Sequence, residues 1–194
     1  MTVATHRNTS SLFQVRPASP SDLRIVAQMI AESFHSQNGW WGIFFPLLRL
    51  GIYEDLKHRF ASPSPHHICL VAVDTQAKTL QNIVGTVELN LRFSDPWMLP
   101  KKTFPYLSNL AVHPLYRRKG VASSLLKSCE KVSMAWGFED IYLHVLENNC
   151  KARQLYFKSG YRVQNLEFNW NNFLLRRSQQ IFLHKNIRIT NRSI

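Results

Sequence analysis

The sequence predicts an α/β (α+β) architecture: a central mixed, mostly antiparallel β-sheet with a parallel strand pair, flanked by about four helices. Three observations predict it. Apolar residues recur at helical spacing over the first third of the chain and then alternate at strand spacing from residue 68. A strand, a helix and a strand follow one another over 106–146, the order of a parallel βαβ unit. Two β-rich runs then close the chain as a hairpin.

Each element has a local reason. "FQVRPA" (13–18) reads as a first strand. Ser19 is placed to cap a helix, with Pro20 at its first position and Asp22 closing a capping box. Leu23, Val26, Ile30 and Phe34 fall on one helical face, and Gly39 interrupts the pattern. A more apolar helix is expected over 44–60 with Leu47, Leu48 and Leu56 turned inward. "ICLVAVDT" (68–75) and "IVGTVELNLRF" (83–93) form an antiparallel hairpin, and "YLSNLAV" (106–112) is the next strand. A helix over 120–136 carries Val121, Leu125, Cys129 and Val132 on one stripe and stops at Gly137. The strand "DIYLHVL" (140–146) and a short helix over 149–159, ended by Gly160, come next. The terminal hairpin, 161–185, turns at Asn171-Asn172. The organisation expected is a disordered leader over 1–12, one domain over 13–186 and a basic tail over 187–194.

Composition sets bounds. Hydrophobic residues make up 45% and charged residues 19%, an ordinary globular mixture. Lys and Arg outnumber Asp and Glu by 24 to 12, a net charge of +12 that draws anionic partners: nucleic acid, a membrane surface, an acidic protein or a phosphorylated cofactor. The basic residues are spread along the chain, and no helix-turn-helix or zinc-finger spacing appears, which argues against nucleic acid. Three cysteines, Cys69, Cys129 and Cys150, have no paired spacing, so neither a disulfide framework nor a metal site is expected. "WWGIFFPLLRLGIY" (40–53) is too short for a bilayer span, which needs about 20 apolar residues.

The stretch "VHPLYRRKGVASSLL" (112–126) carries the chemistry. A helix N-terminus exposes unpaired backbone N–H groups and a partial positive charge, and a strand entering it directly makes an anion site. Gly120 lets a phosphate approach without a Cβ in the way, Ala122 keeps the next turn small, and Arg117, Arg118 and Lys119 add charge. Neither the Walker A nor the dinucleotide fingerprint occurs. Taken by itself the stretch is equally a solvated basic helix start.

Two neighbouring motifs decide between these. Arg117-Arg-Lys-Gly120-Val-Ala122, the strand "NLAVHPLY" before it, and "NNCKARQLYFKSGY" (148–161) resemble, in order and register, the GNAT superfamily of acetyl-CoA-dependent N-acetyltransferases. The likeness is dense over 106–161, and the element order extends it over nearly the whole chain. It implies acetyl-CoA as acetyl donor and no metal. It places the pyrophosphate on residues Arg117, Arg118, Lys119, Gly120, Val121 and Ala122, and the pantetheine arm on the backbone of Asn109, Leu110, Ala111 and Val112. It gives Asn149 a contact to that arm and makes Tyr156 the proton donor to the departing thiolate. The spacing agrees, because Asn149 and Tyr156, seven residues apart, share a helical face; a merely packed aromatic is the alternative for Tyr156.

For the base, His144 on strand 140–146 matches a position where some members of the superfamily carry one. Glu88 is the competing carboxylate, and Glu147 reads as a loop charge. An imidazole suits an α-amine, pKa near 8, better than a lysine near 10.4, by about 3 kcal/mol at neutral pH. Aromatic residues, Trp40, Trp41, Phe44 and Phe45 on one side and Phe168, Trp170 and Phe173 on the other, are expected to line the acceptor groove. The pattern is most similar to the cyanobacterial and plastid branch, which implies protein N-termini and lysines as acceptors, in a cytoplasm or a plastid stroma. A small aryl-alkylamine is the second acceptor reading, and a catalytically idle acetyl-CoA-binding module a third. A monomer or a homodimer is expected.

Overall fold

The computed structural model describes residues 13–35, 45–62, 64–77, 82–93, 103–164 and 180–188, the side chains of Phe34, His35 and Phe45 excepted. Among these residues the elements run β1 (Phe13–Pro17), α1 (Leu23–His35), α2 (Phe45–Ala61), β2 (His67–Asp74), β3 (Ile83–Phe93), β4 (Thr103–Val112), α3 (Val121–Ala135), β5 (Asp140–Leu146), α4 (Cys150–Lys158), β6 (Arg162–Val163) and β7 (Gln180–Asn186). The expected order holds throughout. The fourth strand begins at Thr103 rather than at Tyr106. The turn expected at Asn171-Asn172 lies outside the described residues, as do the leader and the last residues of the tail. Ile187, at the start of that tail, is buried and donates its N–H to the Glu139 carbonyl at 2.7 Å.

The strands lie in the order β1-β2-β3-β4-β5-β7-β6 in one sheet. Every neighbouring pair is antiparallel except β4–β5, which is parallel because α3 carries the chain back across the sheet. Strand alternation then builds two cores. Leu70, Val87, Leu89, Leu107, Ile141, Leu143 and Leu183 pack with Leu125, Leu126 and Cys129 of α3 and Tyr156 of α4. On the opposite face Cys69, Val71 and Ala111 pack with Leu23, Val26 and Ile30 of α1 and Leu56 of α2.

Local signals acted as read at the first helix. Ser19 and Asp22 form the capping box, on a short 3₁₀ turn over Pro20–Asp22 that leads into α1. Asp22 also takes the Arg16 guanidinium at 2.6 Å, which ties this entry to β1. The expectation for α2 needs correction. Leu56 is buried, but Leu47 and Leu48 are 67% and 37% exposed. The reason is angular: at roughly 100° per residue, Leu47 lies about 180° around the helix from Leu56. The buried stripe is instead Ile52, Leu56 and Phe60, with Tyr53 beside it.

One glycine sets how closely α3 lies on the sheet. A Cβ built on Gly85 would sit 2.7 Å from Val121 Cγ1, 3.0 Å from Leu125 Cδ1 and 3.3 Å from the Ala111 carbonyl oxygen. Gly85→Ala should therefore push the first turn of α3 outward and cost about 1–3 kcal/mol, typical of overpacking. Thermal melting checks this, and Val121→Ala in the same chain should restore most of the loss. An unchanged melting temperature in Gly85→Ala would mean that α3 does not rest on that glycine.

Candidate active site

The site follows from how little of β4 and β5 is paired. β4 runs to Val112 and β5 to Leu146, yet their register holds only Tyr106↔Tyr142 and Leu107↔Leu143. Past Leu107 the two strands part, so the β5-facing backbone groups of β4 have no ladder partner there. Buried backbone groups normally find partners, and a slot lined by amides and carbonyls is a place for an extended polar ligand.

A bulge bends β4 at this point. Against β3, Ser108 faces Glu88 and Ala111 faces Thr86, so Asn109 and Leu110 together stand opposite Val87. Leu107 and Leu110 consequently pack in the same core although three residues apart, a one-residue shift of the strand alternation. Asn109 takes φ 53°, left-handed backbone that Asn tolerates better than most residues. The bulge thus falls on residues that the resemblance assigns to the donor's pantetheine arm.

At its C-terminal end β4 delivers the chain through His113 and a 3₁₀ turn, Pro114–Tyr116, to the start of α3. Arg118 and Gly120 both have positive φ, 65° and 88°. Gly120 is the N-cap residue, and no side chain caps α3, so its first backbone N–H groups are left for something else to satisfy. Among the described residues, and apart from the adjoining chain, nothing lies within 4 Å of where a Cβ on Gly120 would go. The space in front of this helix end is therefore open, and Arg117, Arg118 and Lys119 are exposed around it. Ala111 and Val121 are buried, while Val112 and Ala122 are half-buried beside them. These features fit a diphosphate.

Each face of the sheet carries one of the titratable side chains that the resemblance singled out. On the α3/α4 side Tyr156 packs in the core, its ring edge-on to Tyr161 at 5.8 Å. Burial, with a smaller contribution from Tyr106, pushes its phenol up to about 12, so it keeps its proton at neutral pH. Asn149 sits at the start of α4, where its Oδ1 accepts the Ala152 N–H at 3.2 Å. With the oxygen committed to the cap, what this side chain can offer a ligand is its amide N–H₂. The expected sharing of a helical face with Tyr156 becomes the relation of a cap to a residue two turns inside.

His144 is on the other face, because Ile141, Leu143 and Val145 take the α3/α4 core. Its Nδ1 lies 3.0 Å from Tyr106 Oη. Burial and the charge of Arg92 lower the imidazole pKa below its usual 6.5, so His144 is neutral at physiological pH and has a lone pair to offer. Burial also raises the Tyr106 phenol. The Arg92 guanidinium carbon stands 3.5 Å from the centre of the Tyr106 ring. Further along this face Phe104, Tyr142, Phe182 and His184 form a run of rings, contacting neighbours having centroids 4.8–6.4 Å apart. His184 Nε2 ends the series 2.7 Å from Asp140. The aromatic residues expected to line an acceptor groove fall outside the described residues or, for Phe45, the described side chains; this aromatic floor was not foreseen.

Glu88 is fully buried, on the same face as His144. Its Oε2 accepts Arg59 Nη1 at 2.6 Å and Asn109 Nδ2 at 3.1 Å, and Oε1 is buried without a hydrogen-bond partner among the described residues. Arg59 also pairs with Asp55 one turn earlier on α2. Glu147 is exposed. The sequence reading missed Tyr106, Arg92 and Arg59. Tyr106 stood at the head of an expected strand, but only the register that sets β4 beside β5 brings it to His144. Among the described residues no three His, Cys, Asp or Glu side chains gather as a metal site, and no helix is long and apolar enough to cross a membrane.

Comparison with known proteins agrees with this geometry. GCN5-related N-acetyltransferase 10, chloroplastic, from Arabidopsis thaliana is 30% identical over 84% of this chain and 67% of its own length. Among solved structures, the PaiA N-acetyltransferase of Thermoplasma acidophilum in complex with coenzyme A superposes with a TM-score of 0.65 at 18% identity, covering 90% of this chain and 98% of that one. The NatC complex bound to Gag peptide and CoA contains a chain that superposes at 0.62 and 18% identity, covering 90% and 98%. The acetyltransferase (GNAT) family pattern matches residues 33–161. The chain belongs to the GNAT family and is an acetyl-CoA-dependent acetyltransferase.

Proposed function

We propose that this acetyltransferase acetylates protein N-terminal α-amines, with lysine ε-amines as slower acceptors. The observation that carries the reading is the His144–Tyr106 pair beside the end of the β4–β5 pairing, with Tyr156 buried in the core on the opposite face of the sheet. Acetyl transfer to an amine needs a proton taken from nitrogen and a proton given to sulfur. A base and an acid on opposite faces of the sheet do both without quenching each other.

The donor binds with its diphosphate on the backbone amides at the start of α3 and its pantetheine arm along Asn109–Val112. The amine approaches from the face of Tyr106. Where the imidazole proton sits on Nδ1, Nε2 takes the amine proton. In the other tautomer Tyr106 takes it and passes its own proton to Nδ1, so either route ends on His144. Tyr156 gives its proton to the sulfur as the thioester opens, and solvent exchange resets both groups.

The acceptors' own pKa values support the choice between them. A base below 6.5 works against a gap of over 1.5 units for an α-amine near 8, and about 2.4 units more for a lysine near 10.4. The difference, roughly 3 kcal/mol, favours α-amines. The peptide-bound NatC structure and the chloroplastic relative support a protein acceptor and a plastid-type setting. The aromatic floor, Phe104, Tyr142 and Phe182, supports a second reading, a small aryl-alkylamine stacking there. Thiol release measured across α-amine peptides, lysine peptides and tryptamine separates them. Peptides starting with a free α-amine should turn over fastest, and tryptamine alone as acceptor would overturn the reading.

Gly120→Glu should abolish calorimetric acetyl-CoA binding while the fold survives, since it puts a carboxylate where the diphosphate sits and forces a side chain onto φ 88°. Unchanged affinity would remove the diphosphate from this turn. Tyr156→Phe should lower kcat by about 100-fold or more with acetyl-CoA affinity nearly intact. A wild-type rate would take the acid role from Tyr156.

His144→Gln tests the base. Because the folded pKa lies below 6.5, the wild-type rate should lose its base only as pH falls under that value, and the variant should lack this acid limb. At pH 7 the variant should be slower by about 100-fold. Near pH 9 an α-amine deprotonates unaided and much of the loss should return, later for lysine. An equal defect at every pH would make His144 structural.

A further inference from the structure

A buried carboxylate is costly unless paired, and an oxygen left without a partner adds to the cost. Glu88 is buried and paired through Oε2, while its Oε1 has no hydrogen-bond partner among the described residues. Its three-way bond explains what is gained. Oε2 holds Arg59 of α2 at 2.6 Å and Asn109 of β4 at 3.1 Å, so one oxygen ties α2, β3 and β4 together. Asn109 is the bulge residue at φ 53°, two residues past the last β4–β5 pair. A non-glycine residue pays for that backbone conformation unless something holds it, and the bond to Glu88 does so. A base must reach the acceptor nitrogen, whereas Glu88 is wholly enclosed with Oε2 already engaged twice.

We propose that Glu88 is a positioning residue: anchored by Arg59, it holds the Asn109 bulge so that the β4 backbone stays aimed at the acetyl carbonyl of the donor. The role rests on the reading that β4 takes the acetyl-pantetheine arm, and not on which amine is the acceptor. It gives the acceptor-side helix α2 a direct mechanical link to the donor site. Loss of the tether should harm recognition of the acetyl group and leave the grip on the diphosphate, which α3 supplies, untouched.

The test titrates wild type, Glu88→Ala, Glu88→Gln and Asn109→Gly with acetyl-CoA and with CoA in a calorimeter, beside kcat–pH profiles on one amine substrate. Glu88→Ala should weaken acetyl-CoA by roughly tenfold more than CoA, the worth of about one charge-assisted hydrogen bond. Its kcat should fall with the pH inflection unmoved. Glu88→Gln keeps an oxygen for Asn109 and should recover most of both losses. Asn109→Gly removes the tether while accepting positive φ, so it should reproduce the loss of acetyl preference even if Glu88→Ala fails to fold. Glu88→Gln as slow as Glu88→Ala, with the acid limb gone, would make Glu88 a base and overturn the proposal. So would Asn109→Gly or Glu88→Ala with a wild-type ratio of acetyl-CoA to CoA affinity. A wild type that binds acetyl-CoA while these variants match it overturns this inference alone.

Discussion

The parallel contact between β4 and β5, made at Tyr106↔Tyr142 and Leu107↔Leu143 and then abandoned, is the constraint on which the site depends. A fully paired sheet would leave no backbone groups to offer and no passage between its faces. Two features keep the strands apart. The bulge at Asn109–Leu110 turns β4 while it remains bonded to β3. The exit of β4 through Pro114–Tyr116 into α3 then carries the chain away from the sheet. The same departure leads through Pro114–Tyr116 to the uncapped start of α3, so in the proposed reading one stretch of backbone supplies both the diphosphate site and the site for its attached arm.

In the proposed mechanism the two proton tasks fall on opposite faces of the sheet. Burial raises the Tyr156 phenol to about 12 on the α4 side and lowers the His144 imidazole on the other. Desolvation disfavours the charged form of either group, so one physical cause leaves an acid that keeps its proton and a base that is free of one. Strand alternation puts them on opposite faces: His144 points away from the core that contains its neighbours Leu143 and Val145, and Tyr156 points into it. Direct contact between the two groups would have let them neutralise each other's function.

Much of this was legible in the sequence where the signals are local. Element order, the capping box at Ser19 and Asp22, the glycine turn before α3 and the stop at Gly137 depend on neighbours within a few residues, and each appears as read. Leu47 and Leu48 show the limit of composition without angle: an apolar run named a helix, but the stripe Ile52–Leu56–Phe60 chose its buried face. Pairings far apart in sequence were not legible. Tyr106 meets His144 across 38 positions and Arg59 meets Glu88 across 29. No local pattern encodes either; they follow from parallel register and from the docking of α2. The bulge was equally hidden, since "YLSNLAV" reads as an uninterrupted strand until its partner shows two residues facing one.

The most direct measurement is a crystal structure of the protein with acetyl-CoA and an unreactive peptide or amine. The diphosphate should lie on the amides of residues 120–122, and the acetyl carbonyl should bond to β4 backbone beside the bulge. The sulfur should face Tyr156, and the acceptor nitrogen should lie on the side of Tyr106 and His144. A donor lying along another strand, or donor and acceptor entering from the same face of the sheet, would contradict it.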